Sequence, residues 1–307
     1  MKQNVRKNFL LKDIWKERWL YIILLPGLIY FLVFRYLPMA GLAMAFQNFR
    51  VTQGLFGSQW VGLRHFQRLF SDPVFFMLLR NTFLIAFLNL LIYFPFTILL
   101  ALFLNEVRHQ LFKRFVQSIT YLPHFFSWVV IASLTYKLLS TEAGLIGGLM
   151  RYMGKTPIPF LASEQWFRFI IVSQGIWRDL GWGSIIFLAA IAGIEQEMYE
   201  AAIVEGATKL QRIIYVTLPS IKSTIVIIFI LRLGRFLDLG FEQIFVQLNA
   251  MNRSVGEIFD TYIYTIGILG GQFSYNAAVG MFKSGIGAIL VILTNTLAKR
   301  LGEEGVY

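Results

Sequence analysis

The 307-residue sequence contains no cysteine and only three histidines. The absence of cysteine excludes disulfide bonds, thiolate catalysis and cysteine-based metal sites. His65, His109 and His124 are scattered, and none forms the His-x-x-x-His pair that places two metal ligands on one helical face. No nucleophile stands in a recognisable arrangement with a base. We therefore predict no metal site, no catalytic residue and no enzymatic activity in this chain.

Charged residues are scarce, at 15% of the sequence, whereas 57% of the residues are hydrophobic and the mean hydropathy is +0.62. Soluble domains carry about 25% charged and about 45–50% apolar residues. Six apolar segments reach the roughly 20 residues that a transmembrane helix needs. They lie at about residues 19–39, 76–104, 115–139, 166–194, 221–245 and 277–297. The sequence predicts an all-α polytopic membrane protein with six transmembrane helices.

The net charge of +11 comes largely from basic residues at the ends of the apolar segments. This distribution favours the positive-inside rule over nucleic-acid binding, so we expect no nucleic-acid partner. Lysines and arginines gather before the first segment, between the second and third, between the fourth and fifth, and after the last. With six spans, these four regions lie on one side of the membrane. Both termini are predicted to be cytoplasmic.

The N-terminal region permits more than one interpretation. We predict a cytoplasmic N-terminus over residues 1–18 and one transmembrane domain over residues 19–307, with a core of about 76–300. The stretch FLLKDIWKERW before the first span mixes apolar and basic residues, which indicates an interfacial helix or an ordinary charged stop before a span. A basic start, an apolar run and AMA at 43–45 are also features of a signal peptide. Because the run is long enough to span and Arg35 separates it from AMA, we expect a retained first helix.

The stretch GGLMRYMGKT, residues 147–156, looks like a phosphate-binding P-loop. A P-loop has four residues between its glycines and a helix after them. Here five residues separate Gly148 from Gly154, and Pro157 and Pro159 follow. The stretch also falls on the outer side of the predicted topology, away from ATP. We predict a flexible outer loop without a nucleotide site, so that another chain must bind any ATP.

The charged stretch EAAIVEGATKLQRIIYVTLP, residues 200–219, lies between the fourth and fifth spans. Its first part consists of strong helix formers, but Gly206 would cost about 1 kcal/mol inside a helix and is predicted to end that helix or permit a bend. Ala202 and Gly206 would share a face one turn apart. An amphipathic helix is predicted next, from the i, i+3, i+4, i+7 spacing of Leu210, Ile213, Ile214 and Thr217. This helix, bend and helix would either dock on another surface or pack on their own bundle.

The spacing of this stretch resembles the Glu-Ala-Ala motif in the membrane subunits of bacterial ABC importers. That motif reads Glu-Ala-Ala, three residues, Gly, nine residues, Ile, one residue and Leu-Pro, and this chain departs from it only at Val216. The resemblance implies a type I ABC importer permease fold, with a cytoplasmic coupling helix between helices 4 and 5 in the region 196–219. It also implies an ATPase contact made by Glu200, Ala201, Ala202, Glu205, Gly206, Ala207, Leu218 and Pro219.

Nearly the whole chain resembles the carbohydrate-uptake branch of these importers, as in LLPGLIYFLVFRYLPMAGLAMAFQNF, WVGLRHFQRLF, YLPHFFSWVV and LDLGFEQIFVQLN. The chain is similar to Gram-positive permeases that import oligosaccharides from plant or algal polysaccharides. The resemblance implies a subunit in the bacterial cell membrane that forms half of the translocation path for an oligosaccharide. The implied partners are a second related permease, an ATPase dimer that holds ATP and Mg, and an extracytoplasmic solute-binding lipoprotein. This chain itself would carry no cofactor.

A stand-alone channel or an ion-coupled carrier is the alternative function. Carriers are expected to contain inverted repeats and broken helices. The sequence shows neither feature, which favours the importer.

Polar and ionisable residues inside the predicted spans are candidates for the solute path. We select Tyr121, His124, Trp128, Gln174, Trp177, Arg178, Arg232, Arg235 and Asp238. They could line a polar, aromatic passage for sugar, and the two arginines of the fifth span would suit an acidic sugar such as a uronate. Alternatively they neutralise one another and hold the bundle together, with Arg235 paired to Asp238 and Arg178 paired to an acid elsewhere.

Overall fold

The computed structural model describes residues 16–300, which form two compact units. The first unit comprises the chain up to Leu69 together with Gln272–Met281, and the second comprises Phe70–Gly271 together with the chain from Phe282. Both units consist mainly of helices. The predicted interfacial helix before the first span lies almost wholly outside the described residues.

The helices of the described chain differ widely in length. In chain order they are α1 (Arg18–Phe31), α2 (Gly54–Gly57), α3 (Arg64–Ser71), α4 (Pro73–Leu88), α5 (Phe94–Glu106), α6 (Gln110–Tyr121), α7 (Trp128–Leu139), α8 (Leu145–Tyr152), α9 (Glu164–Ala192), α10 (Gln196–Val204), α11 (Lys209–Arg212), α12 (Leu218–Ser220), α13 (Lys222–Gly234), α14 (Phe241–Phe245), α15 (Arg253–Gly256), α16 (Phe259–Tyr262) and α17 (Phe273–Arg300). Several are joined by π-helical segments at Leu32–Tyr36, Asn89–Tyr93, Ile213–Thr217 and Ile263–Leu269, or by 3-10 segments at Leu37–Phe46, Leu122–Phe125 and Phe160–Ala162.

The first unit begins with a long apolar helical segment. Helix α1 continues through the π-helical and 3-10 segments, so that Arg18–Phe46 is long and apolar enough to cross a membrane. Within the described chain, no side chain of α1 is buried, which fits a helix that faces lipid. The segment ends where Gln47 adopts an extended conformation and begins β1 (Gln47–Asn48). This strand pairs antiparallel with β2 (Gln59–Trp60).

Three further helical segments are long enough to cross a membrane. Pro73–Glu106 combines α4, a π-helical segment and α5. Asp72 caps its start, since the Asp72 carboxylate accepts a hydrogen bond from the Val74 N–H at 2.9 Å. Glu164–Ala192 and Phe273–Arg300 are continuous α-helices. These segments cover the predicted second, fourth and sixth spans.

The predicted third span, 115–139, is broken by a sharp bend. The segment Gln110–Phe125 and the helix α7 meet at an angle of 103°. The break follows from local chemistry: Pro123 lies at the start of a 3-10 turn, and Ser127 then caps α7 by accepting a hydrogen bond from the Val130 N–H. Hydropathy continues across the break and does not reveal it.

The predicted fifth span, 221–245, is also wrong in its extent. Helix α13 ends at Gly234, and residues 235–240 follow as turn and loop before α14. Gly240 has φ +77°, a left-handed conformation that glycine adopts without steric cost. A second bend, of 62°, separates Lys209–Ser220 from α13. Among residues 16–300, four helical segments are long and apolar enough to cross a membrane, or up to six if each bent pair is one span, and the expectation of unbroken helices is wrong.

In the second unit, α9 approaches its neighbours closely because of two glycines. A Cβ at Gly181 would clash with the Thr120 carbonyl of α6, and a Cβ at Gly183 would clash with the Tyr93 hydroxyl. This packing encloses an apolar cluster formed by Phe94, Ala101, Leu102, Phe187, Ile191 and Ile221. In a membrane, where lipid is as apolar as leucine, such close packing is what holds helices together.

The stretch that looks like a P-loop forms the end of α8. The Gly154 N–H donates to the Arg151 carbonyl at 2.9 Å, and the Lys155 N–H donates to the Met150 carbonyl at 2.8 Å. With φ +71° at Gly154, this is the hydrogen-bond pattern of a Schellman helix end. The predicted flexible loop is therefore wrong over residues 145–155, because a helix precedes the second glycine and its backbone groups bond one another.

Candidate functional site

A cavity of about 450 Å³ lies in the second unit. Its walls come from α4 and the π-helical segment after it, from the α6–α7 break, from α9, and from the broken end of the fifth span. Six of the nine path residues selected from the sequence line it: His124, Trp128, Arg178, Arg232, Arg235 and Asp238. Further polar or aromatic lining residues were not selected: Asn89, Tyr93, Asp179, Trp182 and Gln243.

The helix breaks position the functional groups at the cavity. His124 lies in the 3-10 turn before the α6–α7 break, and Trp128 lies in the first turn after it. The break leaves the Phe126 carbonyl outside a helix, and Arg178 Nε donates a hydrogen bond to it at 3.2 Å. Non-helical backbone is tolerated at membrane depth where it is buried in protein or lines a cavity. The broken helices therefore supply polar wall groups that continuous helices would not.

An aromatic and charged cluster forms one wall. The His124 ring stacks on Trp182, with centroids 4.5 Å apart and planes at 4°. His124 Nδ1 is hydrogen-bonded to Asp179 Oδ1 at 2.8 Å, and Arg178 Nη1 lies 3.4 Å from the same oxygen. Arg178 Cζ also lies 4.5 Å from the centroid of the Trp128 ring. Arg178 thus pairs with its neighbour Asp179, and within residues 16–300 it has no ion pair with an acid elsewhere of the kind that the pairing alternative supposed.

Arg232 contacts an aromatic face instead of an acid. Its Cζ lies 4.2 Å from the centroid of the Tyr93 ring. Tyr93 is held in place because its hydroxyl donates a hydrogen bond to the Asp179 carbonyl at 2.8 Å. A cation–π contact is attractive but removes no charge. The contact with Tyr93 therefore leaves the positive charge of Arg232 at the cavity wall without a neutralising carboxylate from the described residues.

The expected pairing of Arg235 with Asp238 is wrong. Asp238 Oδ1 lies 2.6 Å from Lys283 Nζ of α17, and the same ammonium lies 2.6 Å from Asp260 Oδ1 of α16. Helix α13 ends at Gly234, and a turn follows in which the Asp238 N–H donates to the Arg235 carbonyl at 2.9 Å, so the two backbones are close although the side chains do not pair. Among residues 16–300, the Arg235 side chain has no hydrogen bond or ion pair, and it is exposed at the cavity.

Three selected residues do not line the cavity. Gln174 is buried in an amide network, where its Nε2 donates to Thr135 Oγ1 at 2.6 Å and its Oε1 accepts from Gln247 Nε2 at 2.8 Å. Trp177 is half-exposed and contacts Phe126. Tyr121 packs near Gly181 at the α6–α9 contact. Gln174 and Tyr121 thus support the wall from behind.

The motif stretch 200–219 begins with a helix that ends in a defined turn. Gly206 has φ +79°, its N–H donates to the Ile203 carbonyl at 3.0 Å, and the Ala207 N–H donates to the Ala202 carbonyl at 2.9 Å. These bonds form a Schellman helix end, which places glycine just after the helix. The predicted end at Gly206 is confirmed, but the predicted strip of Ala202 and Gly206 on one helical face is wrong, because α10 ends at Val204.

The second arm of the stretch is tied to the first and to the bundle. Thr208 and Gln211 form a capping box at the start of α11. The Tyr199 hydroxyl and Thr217 Oγ1 lie 2.9 Å apart and join the two arms. Leu218 packs against the apolar cluster of the bundle, whereas Val204 is 87% exposed. Within the described chain no side chain of α10 is buried, so this helix presents a free surface.

Comparison with known proteins adds the family. The chain is 53% identical over 306 residues to the polygalacturonan/rhamnogalacturonan transport system permease protein YteP of Bacillus subtilis. The match covers all of this chain and 95% of YteP. This chain belongs to the permeases of ABC carbohydrate importers. The permease is also 48% identical over 292 residues to the protein LplB of the same organism, covering 95% of this chain and 92% of that one. No family model matches it.

Solved structures show the same fold. This permease matches a chain in the crystal structure of a bacterial alginate ABC transporter in complex with an alginate pentasaccharide-bound periplasmic protein. The TM-score is 0.89 and the sequence identity 38%, over 96% of this permease and 99% of that chain. The stand-alone channel or carrier loses its support, since both comparisons give ABC transporter permeases.

The cavity residues missed from the sequence carried a usable signal. Trp182 follows Arg178 by four residues and therefore lies on the same face of α9. Asn89 and Tyr93 are likewise four apart in the second span, where no polar residue was selected. Extending each selected polar position by one helical turn would have found Trp182. The π-helical segment around Asn89 has no comparable sequence pattern.

Proposed function

We propose that this permease conducts an acidic oligosaccharide through the cavity, with Arg232 and Arg235 binding the sugar carboxylates. Guanidinium groups bind carboxylates through two parallel hydrogen bonds, which gives them both charge and geometry for this ligand. His124, Trp182 and Trp128 add aromatic faces on which sugar rings can stack. The volume of about 450 Å³ lies in the range of pockets that hold small molecules.

The observation that carries this proposal is the state of the cavity charges. Three arginines and two aspartates line the cavity. Asp179 is paired with Arg178 and His124, and Asp238 is paired with Lys283, which is not part of the lining. Arg232 and Arg235 are left without an acidic partner among residues 16–300. Uncompensated charge inside a membrane protein is costly and is retained where a ligand or water-filled path uses it.

The relatives agree with an anionic ligand. The name of YteP specifies polygalacturonan and rhamnogalacturonan, both of which contain uronic acids. A second matching structure is described as an ABC transporter involved in the import of the acidic polysaccharide alginate, with a TM-score of 0.89 and 38% identity. For the present permease we infer the same chemical class of substrate, a short uronate-containing oligosaccharide.

The test compares two sugars of the same length that differ in charge and by one methyl group on each carboxyl. A trimer of galacturonic acid and its fully methyl-esterified form are offered to membrane vesicles that contain the complete transporter and its binding protein. Arg232→Gln and Arg235→Gln are each expected to lower uptake of the acid by about tenfold or more, the effect of one lost charge-assisted contact. Uptake of the ester should change far less. Arg108→Gln, which removes an exposed arginine outside the cavity, is the control.

Each outcome of this test is informative. Unchanged uptake of the acid in both arginine variants would overturn the proposal. Equal loss of acid and ester, with the transporter assembled, would mean that the site does not read charge. Loss of assembly would indicate that the arginines hold the bundle together.

For energy coupling we propose that α10 and the turn after it contact an ATPase subunit. The support is the exposed surface of α10, where Val204 is 87% and Ile203 53% exposed. Glu200, Ala201, Ala202, Glu205, Gly206 and Ala207 lie on this helix and turn. Leu218 would act differently, by packing the second arm against the apolar cluster of the bundle, whereas Pro219 is exposed and would contact the ATPase with the first arm. ATP and Mg would be held by that ATPase.

The wider assembly follows from this arrangement as a further part of the proposal. The permease would form half of the path beside a second, related permease, with an ATPase dimer on the cytoplasmic side. A solute-binding lipoprotein would deliver the sugar from outside. With the six spans that we propose, both termini and the stretch 200–219 would lie in the cytoplasm.

A further inference from the structure

Lys283 occupies an unusual position behind the cavity. It lies on α17, its side chain is 13% exposed, and it is not among the cavity-lining residues. Its ammonium group reaches two carboxylates, those of Asp238 and Asp260, each at 2.6 Å. Asp238 is the only one of these three residues that lines the cavity, and its side chain is 65% exposed.

The contact with Lys283 determines which cation the Asp238 carboxylate binds. Asp238 follows Arg235 by three residues in the same turn and loop, and both face the cavity. A carboxylate and a guanidinium that share one cavity attract each other, and solvent screens part of this attraction because the Asp238 side chain is 65% exposed. In this structure the carboxylate is nevertheless bound to Lys283, and Arg235 has no ion-pair partner within residues 16–300.

We propose that Lys283 is a specificity-determining positioning residue that withholds Asp238 from the cavity arginines. By binding Asp238 from behind, it prevents this carboxylate from competing with a sugar carboxylate for Arg235. Asp260 makes the position secure, because it is a second acid that fixes the ammonium group between α16 and α17. The selectivity for acidic sugars would then depend on a residue that never contacts the sugar. This inference rests on the proposed function, in which Arg232 and Arg235 bind carboxylates.

The charges of Lys283, Asp238 and Asp260 determine which variants are informative. Removing the ammonium alone would leave two acids without a partner, one of them, Asp260, only 22% exposed. The informative variant therefore removes Lys283 and Asp260 together, as Lys283→Met with Asp260→Asn. This double variant leaves Asp238 as a loose carboxylate beside Arg235. The triple variant, which adds Asp238→Asn, removes the competing carboxylate as well.

The experiment measures uptake of the galacturonic acid trimer by the complete transporter in vesicles. The double variant is expected to raise the KM for the acid by about tenfold, since an internal anion now occupies Arg235. The triple variant is expected to recover most of the wild-type KM. Asp260→Asn alone keeps the Lys283–Asp238 pair and should raise the KM for the acid far less than the double variant does. The methyl ester should be affected little by any of these variants.

The methyl ester separates positioning from mere structural support. If the three charges only hold the helices together, the double variant must impair uptake of the ester as much as uptake of the acid, and that result would overturn the inference, as would a triple variant that recovers no uptake of the acid. A double variant with wild-type uptake of the acid would overturn it too. Failure of the proposed function shows differently: Arg235→Gln would then leave uptake of the acid unchanged, whatever the Lys283 variants do.

Discussion

The hydroxyl of Tyr199 and Oγ1 of Thr217 lie 2.9 Å apart, and this hydrogen bond joins the two arms of the stretch 200–219. Thr217 is buried, whereas α10 around Tyr199 is open to solvent. The bond therefore connects an exposed helix to a residue fixed in the bundle. If α10 contacts an ATPase, a movement of this helix is passed to the start of α13 through this contact.

The first prediction concerns this bond. Tyr199→Phe removes only the hydroxyl, which corresponds to about 0.5–1.5 kcal/mol of stabilisation of the two-arm stretch. We expect the sugar-stimulated rate of ATP hydrolysis and the rate of uptake to fall together, while the assembled transporter stays intact. Tyr215→Phe, at an exposed tyrosine of the same stretch, is the matched control and should have no effect. Normal coupling in Tyr199→Phe would show that the bond does not transmit movement.

The second prediction separates the two roles available to Gly206. The left-handed backbone at this position costs a non-glycine residue about 1–2 kcal/mol, but asparagine adopts it more readily than alanine. No heavy atom of the described chain lies within 4 Å of a Cβ at Gly206, so size alone is tolerated in the free permease. Gly206→Ala is expected to impair coupling more than Gly206→Asn if the turn conformation is what matters.

Gly206→Trp tests the other role, close approach to the ATPase. Both uptake and sugar-stimulated ATP hydrolysis should be lost, while the external binding protein keeps its affinity for sugar. Equal and severe losses in the asparagine and tryptophan variants would assign the position to the contact surface. Unchanged rates in Gly206→Trp would show that this turn does not dock.

The third prediction concerns the cavity wall. A Cβ at Gly183 would collide with the Tyr93 hydroxyl, and it would lie 2.8 Å from a methyl group of Thr97. Gly183→Ala is therefore expected to displace Tyr93 and to destabilise the permease by about 1–3 kcal/mol, the usual effect of overpacking. Thermal unfolding of the purified transporter measures this. Gly175→Ala, on the same helix and at the same cavity, meets Asn89 at 3.4 Å and should be nearly neutral.

The fourth prediction concerns sidedness. Because the sequence has no cysteine, single cysteines report directly on which side of the membrane a residue lies. Lys209→Cys and Lys155→Cys replace exposed residues and should not disturb the fold. We expect a membrane-impermeant thiol reagent to label position 155 from outside, and position 209 only from the cytoplasm. Labelling of both positions from the same side would contradict the six-span topology.

Local structure could be predicted from the sequence where a residue type has one main structural role. Gly206 was expected to end a helix because glycine is costly within one, and the Schellman bonds of Ala207 and Gly206 show how it does so. The long spans could be predicted for a similar reason, since an apolar segment of sufficient length is typical of few other structures. In both cases the evidence lay within a few neighbouring residues.

The helix breaks and the ion pairs could not be predicted from the sequence, because they depend on contacts with distant parts of the chain. Hydropathy stays high across Phe126 and Ser127, and only the surrounding helices make a bend there favourable. Asp238 finds its partner in Lys283, which is 45 residues away in sequence and on another helix. The nearer choice, Arg235, satisfied every local rule and was wrong.

The π-helical segment Asn89–Tyr93 makes the number of residues in the second span as important as their identity. Each residue added to or removed from a helix turns everything beyond it by about 100°, given 3.6 residues per turn. A deletion within this segment would rotate α5 relative to α4. Phe94 and Ala101 would leave the apolar cluster on α9, and Tyr93 would no longer reach the Asp179 carbonyl. Selection on this part of the gene should consequently tolerate many substitutions but very few changes in length.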